Sequence, residues 1–495
     1  MTNFYETLDG VFSANVERDC LRLPDRHDWS YGDIRDRITA IAGALVSHGV
    51  GIDDRVVAQV DKSPESLALY LATLRIGAVY VPLNTAYTAA EIDYFISDAE
   101  PALFVGGTER ADVPSLTLDG HGNGSLMEAA SKDYPSAVAM RKDDDLAAIV
   151  YTSGTTGRSK GAMLSHANLA ANAVALSDAW GWQDDDVLLH ALPIFHVHGL
   201  FIASHCALLN GTPMEWLPRY DAAEVAQVLQ RVTVLMGVPT FYVRLLALPE
   251  FSKQSLDHIR VFICGSAPLT EQVFREWEAA TGQRILERYG MSETIINTTN
   301  PLHGERVPTT VGFALPGLEL RIADEAGKEV PVGNVGAIEV RGPSVFSGYW
   351  RMPEKTAEEI RADGFFITGD LGTVDADGRL AIVGRAKDLV ISGGYNIYPK
   401  EVERLIDEVP GVVESAVIGI PHADFGEGVV AVVVPSGEQV SIEKVSAALK
   451  GQLARFKQPK MVVNVRELPR NTMGKVQKNL LRDQYKELFE DEDDG

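Results

Sequence analysis

The segment Leu146-Ala-Ala-Ile-Val-Tyr151-Thr152-Ser153-Gly154-Thr155-Thr156-Gly157-Arg158-Ser159-Lys160-Gly161 sets a run of β-favouring apolar residues against a loop of hydroxyls, glycines and cations. The apolar run reads as a buried strand, and Ser165 is the expected N-cap of the helix that follows. Glycines let several backbone N–H groups approach one anion, while the hydroxyls and Lys160 supply further donors. The chemistry is that of a phosphate cradle. It is not a Walker A loop, because GxxxxGK[ST] cannot be aligned on it. Gly157-Arg158-Ser159-Lys160-Gly161 also matches GxSxG, the hydrolase nucleophile elbow, but an elbow serine sits at the strand end and Ser159 lies several residues beyond it.

Upstream, Arg55–Val60 reads as a strand. A helix follows with Ser63 as its cap and Pro64 at its first position, running to about Ile76. Strand patterns at Val79–Leu83 and Ala102–Val105 flank a helix from Thr88, completing a βαβαβ series. A similar series runs from Val187 to Tyr289, with strands at Val232–Val238 and Ile259–Cys264. The fold class is therefore α/β with doubly wound sheets. Between Val311 and Gly342, short strands broken by glycine and proline predict an antiparallel or barrel-like section. Beyond Gly384 a smaller α+β unit is expected, with helices at Pro399–Glu408 and Ile442–Leu453. Its strands fall at Ser415–Ile420, Val429–Val434 and Met461–Val465. The boundary falls at Arg385–Asp388, dividing the chain into residues 1–384 and 385–495.

The 495-residue chain carries a formal charge of −24, which argues against nucleic-acid or acidic-membrane partners because phosphate backbones demand a basic face. Anionic ligands must then be held by local donors against the global field. Glu490–Asp494 reads as a solvated acidic tail. No apolar run is long enough for a membrane span, and the N-terminus lacks a signal-peptide pattern. Three cysteines without CxxC spacing suggest reduced thiols in the cytoplasm.

The loop resembles the phosphate signature of the adenylate-forming superfamily: acyl-CoA synthetases, peptide-synthetase adenylation domains and luciferases. Six further segments follow in that family's order. They are His190-Ala-Leu-Pro-Ile-Phe-His196-Val-His198-Gly199, Gly265-Ser266-Ala267-Pro268, Arg288-Tyr289-Gly290-Met291-Ser292-Glu293-Thr294, Thr368-Gly369-Asp370, Gly384-Arg385-Ala386-Lys387-Asp388 with Ser392-Gly393-Gly394-Tyr395, and Pro469-Arg470-Asn471-Thr472-Met473-Gly474-Lys475. The resemblance implies an enzyme in which a carboxylate attacks the α-phosphate of ATP, expelling pyrophosphate, before the acyl group passes to coenzyme A. It places Thr152, Ser153, Gly154, Thr155, Thr156, Gly157 and Lys160 on the β- and γ-phosphates, and Ser292 on the α-phosphate. Glu293 becomes the Mg²⁺ ligand and Lys475 the catalytic lysine. Ser266, Ala267, Pro268, Tyr289 and Gly290 form the adenine pocket; Asp370, with Arg385 beside it, takes the ribose. Ser392, Gly393 and Gly394 are implied to line the CoA tunnel after the small domain turns about a hinge at Lys387.

Arg288 departs from the uncharged residue usual before Tyr-Gly. A buried cation needs an anion, and a planar fork matches a carboxylate. This suggests a second carboxylate on the acid, read by Arg288 with Ser266 and with His196 beside the acyl pocket. Pairing of Arg288 with Glu287, Glu293 or another protein acid is the competing reading. His196 and His198 share one face of a strand as a metal pair would, yet no further ligands converge in sequence. The three segments around His196, Ser266 and Arg288 resemble the malonyl-CoA synthetases, implying malonate, with methylmalonate secondary. A synthetase for another small acid and an enzyme loading a carrier protein are the alternatives.

Overall fold

The computed structural model describes residues 3–24, 26–130, 137–152, 159–249, 251, 255–422, 424–471 and 474–489. The helix Pro64–Arg75 starts as its signals require: Ser63 accepts from the Ser66 N–H, Ser66 answers in a capping box, and Pro64 opens the first turn. Every residue of that helix is buried, because it lies inside the domain rather than on its surface. It connects two parallel strands, Arg55–Gln59 and Val79–Pro82, which form the centre of a six-stranded sheet. That sheet continues through Leu103–Gly106 and Ser115–Thr117 on one side and Leu146–Thr152 and Lys160–Ser165 on the other.

Lys160–Ser165 was not expected. Lys160-Gly-Ala-Met-Leu-Ser has weak β-propensity, and antiparallel pairing with Leu146–Thr152 makes it a strand, with Thr152 opposite Lys160. The helix expected afterwards, His166–Ala179, begins at its Ser165 cap.

A nine-stranded sheet lies beside the first, with parallel strands Val261–Cys264, Val234–Gly237, Leu188–His190 and Met214–Trp216 among its members. The barrel-like section is an antiparallel four-stranded sheet, Glu319–Ala323, Gly336–Arg341, Phe366–Val374 and Leu380–Arg385. One apolar cluster runs through these layers from Phe4 to Leu380. Two separate clusters begin at Val390 and Ala416. They sandwich a five-stranded sheet built on the hairpin Val412–His422 and Gly426–Pro435. Strand alternation explains the sandwich: Val429, Ala431 and Val433 face the helix Pro399–Asp407, while Val430 and Val432 face Leu481 of Lys478–Tyr485. Among the described residues no helix is long and apolar enough to cross a membrane.

Candidate active site

Residues beyond the carboxyl ends of parallel strands make the natural ligand crevice of an α/β sheet. Gly265 follows Val261–Cys264, and Gly290 follows Leu286–Tyr289. Period-2 alternation sends Arg288 to one face of its strand and Glu287 and Tyr289 to the other. At Gly290 the chain doubles back so tightly that a Cβ would lie 2.0 Å from the Ile295 carbonyl oxygen. This turn carries Ser292, half-buried, and Glu293, buried. The Tyr289 hydroxyl donates to Asp370 Oδ2 at 2.6 Å. Asp370 stands directly opposite Arg385 in the antiparallel register, and Arg385 Nε contacts its other oxygen at 2.8 Å.

The hairpin pairs Thr152 with Lys160. Ser153, Gly154, Thr155, Thr156 and Gly157 lie outside the described residues. Thr152 Oγ1 is 3.5 Å from Glu293 Oε1 and the Tyr349 hydroxyl is 3.1 Å from the same oxygen. Burial pushes the Glu293 carboxyl upward from its ordinary value. Lys160 Nζ pairs with Glu359 Oε1 at 3.0 Å and lies 4.0 Å from the centre of the Tyr349 ring. Ser159 leads into a strand rather than a helix, so GxSxG is no nucleophile elbow here. Tyr349 and Glu359 had no sequence signal of their own; folding alone sets them beside Lys160.

The face bearing Arg288 differs in kind. Its guanidinium fills the space a side chain at Gly265 would need, with Nε 2.6 Å from an added Cβ. Nε and Nη2 are buried without a hydrogen-bond partner, and Arg288 has no ion pair among the described residues. Pairing with Glu287 or Glu293 is therefore not what the structure shows. Burial lowers the Arg288 pKa to about 10. Ser266, held at φ 70°, does not reach for Arg288; its hydroxyl meets His198 Nδ1 at 3.1 Å. His196 Nδ1 accepts the His198 N–H at 3.1 Å. Burial, with the charges of Lys475 and Arg288, lowers the His196 pKa to about 3, so the ring is neutral.

Behind these histidines lies a relay that sequence reading missed. Lys62, buried, donates to His190 Nδ1 at 2.9 Å and to the carbonyls of His190 and Leu217, both at 2.7 Å. An accepting Nδ1 fixes the His190 proton on Nε2, which lies 3.0 Å from the Gly199 carbonyl oxygen. Gly199 belongs to a π-helical turn, His198–Ala203, of the kind found at functional sites. A lysine just before the Ser63 cap was the available clue.

Lys475 arrives from the small domain. Its N–H donates to Asn471 Oδ1 at 2.9 Å within a hairpin, and a Cβ on Gly474 would lie 3.9 Å from Thr240 of the large domain. Burial and the Arg385 charge lower the Lys475 pKa to about 8, against the opposing pull of Asp370 and Glu293. The fold thus gathers Thr152, Lys160, Ser266, Arg288, Tyr289, Glu293, Asp370, Arg385, His196 and Lys475 around one crevice. Ala267 and Pro268 continue from Ser266, with Pro268 exposed. Ser392, Gly393 and Gly394 are elsewhere, at a C-terminal hairpin. Its two glycines hold φ 59° and 80°, as a type I′ turn requires, and both are exposed, Gly393 beside Phe425. Lys387 is exposed on the 3₁₀ turn Ala386–Asp388 between the two cores.

Residues 12–350 match the AMP-binding enzyme family, and residues 401–475 match the AMP-binding enzyme C-terminal domain. The chain belongs to the AMP-binding enzymes. Among solved members, ATP-bound MatB from Rhodopseudomonas palustris is 53% identical, with a TM-score of 0.95 over 99% of this chain and 100% of that one. The apo form of the same protein superposes with a TM-score of 0.84, at 53% identity over 99% and 100% of the two chains. An indoleacetate–CoA ligase of Aromatoleum aromaticum is 35% identical over 96% of this chain and 97% of its own. A malonate–CoA ligase of Arabidopsis thaliana is 33% identical over 85% and 76%. The two curated ligases name different acids at nearly equal identity.

Proposed function

We propose that this AMP-binding enzyme is an ATP-dependent acid–CoA ligase that joins malonate to coenzyme A through malonyl-adenylate. In the first step a malonate oxygen bonds to the α-phosphorus of ATP while the bond to the bridging oxygen breaks, releasing pyrophosphate. The CoA thiol then attacks the acyl carbon, losing its proton, and AMP leaves. The ligase class rests on relatives that span nearly the whole chain. The acid rests on Arg288: a buried cation with two unpartnered donors is costly unless its ligand is an anion, and malonate keeps one carboxylate free while the other reacts. Methylmalonate presents the same pair and is the secondary substrate.

Placement supports the remaining roles in this reading. Thr152 and Lys160 stand at the base of the phosphate hairpin. Ser292 faces the α-phosphate, and Tyr289, Gly290, Ala267 and Pro268 border the adenine. Asp370, already an acceptor for Tyr289 and Arg385, accepts from the ribose. Glu293 is the Mg²⁺ ligand: a buried carboxylate beside the Thr152 and Tyr349 hydroxyls is an oxygen-only set suited to a hard cation, which when bound offsets phosphate charge. Lys475 brings a point charge to the oxygens that gain charge in transfer. Residues 1–384 form the ATP- and acid-binding domain and 385–495 the mobile one, turning at Lys387 to present Ser392, Gly393 and Gly394 to CoA. The three cysteines are free and buried, in keeping with a cytoplasmic enzyme.

The test is CoA- and ATP-dependent AMP formation with malonate, methylmalonate, succinate, acetate and a medium-chain fatty acid side by side. Malonate is expected to dominate, with malonyl-CoA as product. Equal or better use of acetate would overturn the acid assignment and leave the ligase class standing.

A further inference from the structure

Lys160 does not wait for phosphate in solvent. Its ammonium is mostly buried, flat against the Tyr349 ring and ion-paired with Glu359 at 3.0 Å. Glu359 is itself held at both oxygens. Oε2 accepts the Tyr349 hydroxyl at 2.6 Å, and Oε1 also meets Lys355 Nζ at 3.2 Å. Lys355 and Glu359 lie one turn apart on the helix Pro353–Glu359. A carboxylate fixed on both sides cannot follow Lys160 when the lysine turns toward a ligand. Nor is it stranded, because Lys355 still balances its charge.

We propose that Glu359 is a positioning residue for ATP: it fixes the Lys160 ammonium at the mouth of the phosphate hairpin, while Tyr349 links this carboxylate to Glu293. A lysine carries four rotatable side-chain bonds, and ordering them before the ligand arrives removes that cost from binding. The polyphosphate, carrying more charge than one carboxylate, then draws Lys160 a short way without a search through rotamers. Tyr349 adds rigidity, since its hydroxyl reaches Glu359 and Glu293 at 2.6 and 3.1 Å while its ring supports the lysine. Nothing in the type or spacing of Glu359 marks this role. It exists because the strand holding Lys160 and the helix holding Glu359, 199 residues apart, meet at the same hairpin.

The inference rests on the reading of Lys160 as a phosphate ligand, and a double-mutant cycle separates the two. Glu359→Gln keeps the shape and an acceptor for Tyr349. It is expected to weaken Mg·ATP binding about 10-fold by calorimetric titration and to raise the KM for ATP in proportion. The KM for malonate should stay within about 2-fold. In a Lys160→Ala background the same substitution should change ATP binding less than about 2-fold, because the residue it acts through is gone. If Lys160→Ala alone weakens ATP binding but Glu359→Gln does not, or tightens it, Glu359 is no positioning residue and the Lys160 assignment survives. If Lys160→Ala has no effect, both fall. Equal losses from Glu359→Gln in the two backgrounds would show a role in folding alone and overturn the inference.

Discussion

The two sides of the crevice hold their charges differently. On the ATP side, Lys160 is paired with Glu359, and Asp370 is engaged by Tyr289 and Arg385. On the acid side Arg288 stands buried with two donors unmatched, and the neighbours that could have answered it, His196 and His198, are neutral and engaged with each other and with Ser266. A site for a large polyanion tolerates pre-paired groups, since the ligand brings enough charge to recruit them. A pocket for a small acid gains discrimination from an orphan, because any ligand lacking the anion leaves that orphan unpaired.

The largest expected effect is at the orphan. Arg288→Ala should lower kcat/KM for malonate roughly 10³-fold or more, with the KM for ATP changed less than about 3-fold, because a polar mismatch of this kind is worth orders of magnitude. A loss shared equally between malonate and ATP, measured by steady-state kinetics, would erase the contrast between the two sides. Next comes Lys475→Ala, which should slow adenylate formation by roughly 10²–10³-fold, followed by pyrophosphate exchange, while ATP still binds. The same lysine sets a pH limit. Its pKa in the free enzyme is lowered to about 8, so the needed charge is present below that pH and lost above it. The kcat/KM of the adenylation step should therefore fall about tenfold per unit beyond about pH 8. A flat profile to pH 10 would mean that Lys475 stays charged or is not required.

Smaller effects sharpen the ATP side. Asp370→Asn removes a carboxyl oxygen acceptor from the group that Tyr289 and Arg385 both contact, and should weaken ATP about 10-fold without altering the preference for malonate over acetate. The smallest is a stability effect one residue from the orphan. Burial raises the Glu287 carboxyl from 4.5 to about 8, against the pull of Lys400 and the Leu269 N–H. The folded state then binds the proton more tightly than the unfolded one, so this group's contribution falls as pH rises between about 4.5 and 8. Glu287→Gln should raise the melting midpoint by a few degrees at pH 8.5 and leave it nearly unchanged at pH 5, by calorimetry.

Much of the scaffold was legible because local chemistry and tertiary context agree there. Ser63-Pro64 opens a helix, Ser165 caps another, and the alternation in Gly426–Pro435 serves two cores. Pattern failed where pairing creates the element, as in Lys160–Ser165, whose glycine and alanine become strand only beside Leu146–Thr152. The site residues were legible as ordered motifs, yet their partners were not. Tyr349, Glu359 and Lys62 come from distant segments, and their types are too common to signal anything alone.

The sequence by itself determined the α/β class, the phosphate-loop motif, the order of the ATP-binding segments and the presence of an odd arginine before Tyr289. Composition and motif order carry that information because propensity, capping and local spacing are properties of neighbouring residues. Only the tertiary structure decided that Arg288 finds no ion pair among the described residues, that Ser266 is committed to His198, and that Lys160 rests on Glu359. Charge pairing and burial are set by residues far apart in the chain, and their energies exist only once the strands have met.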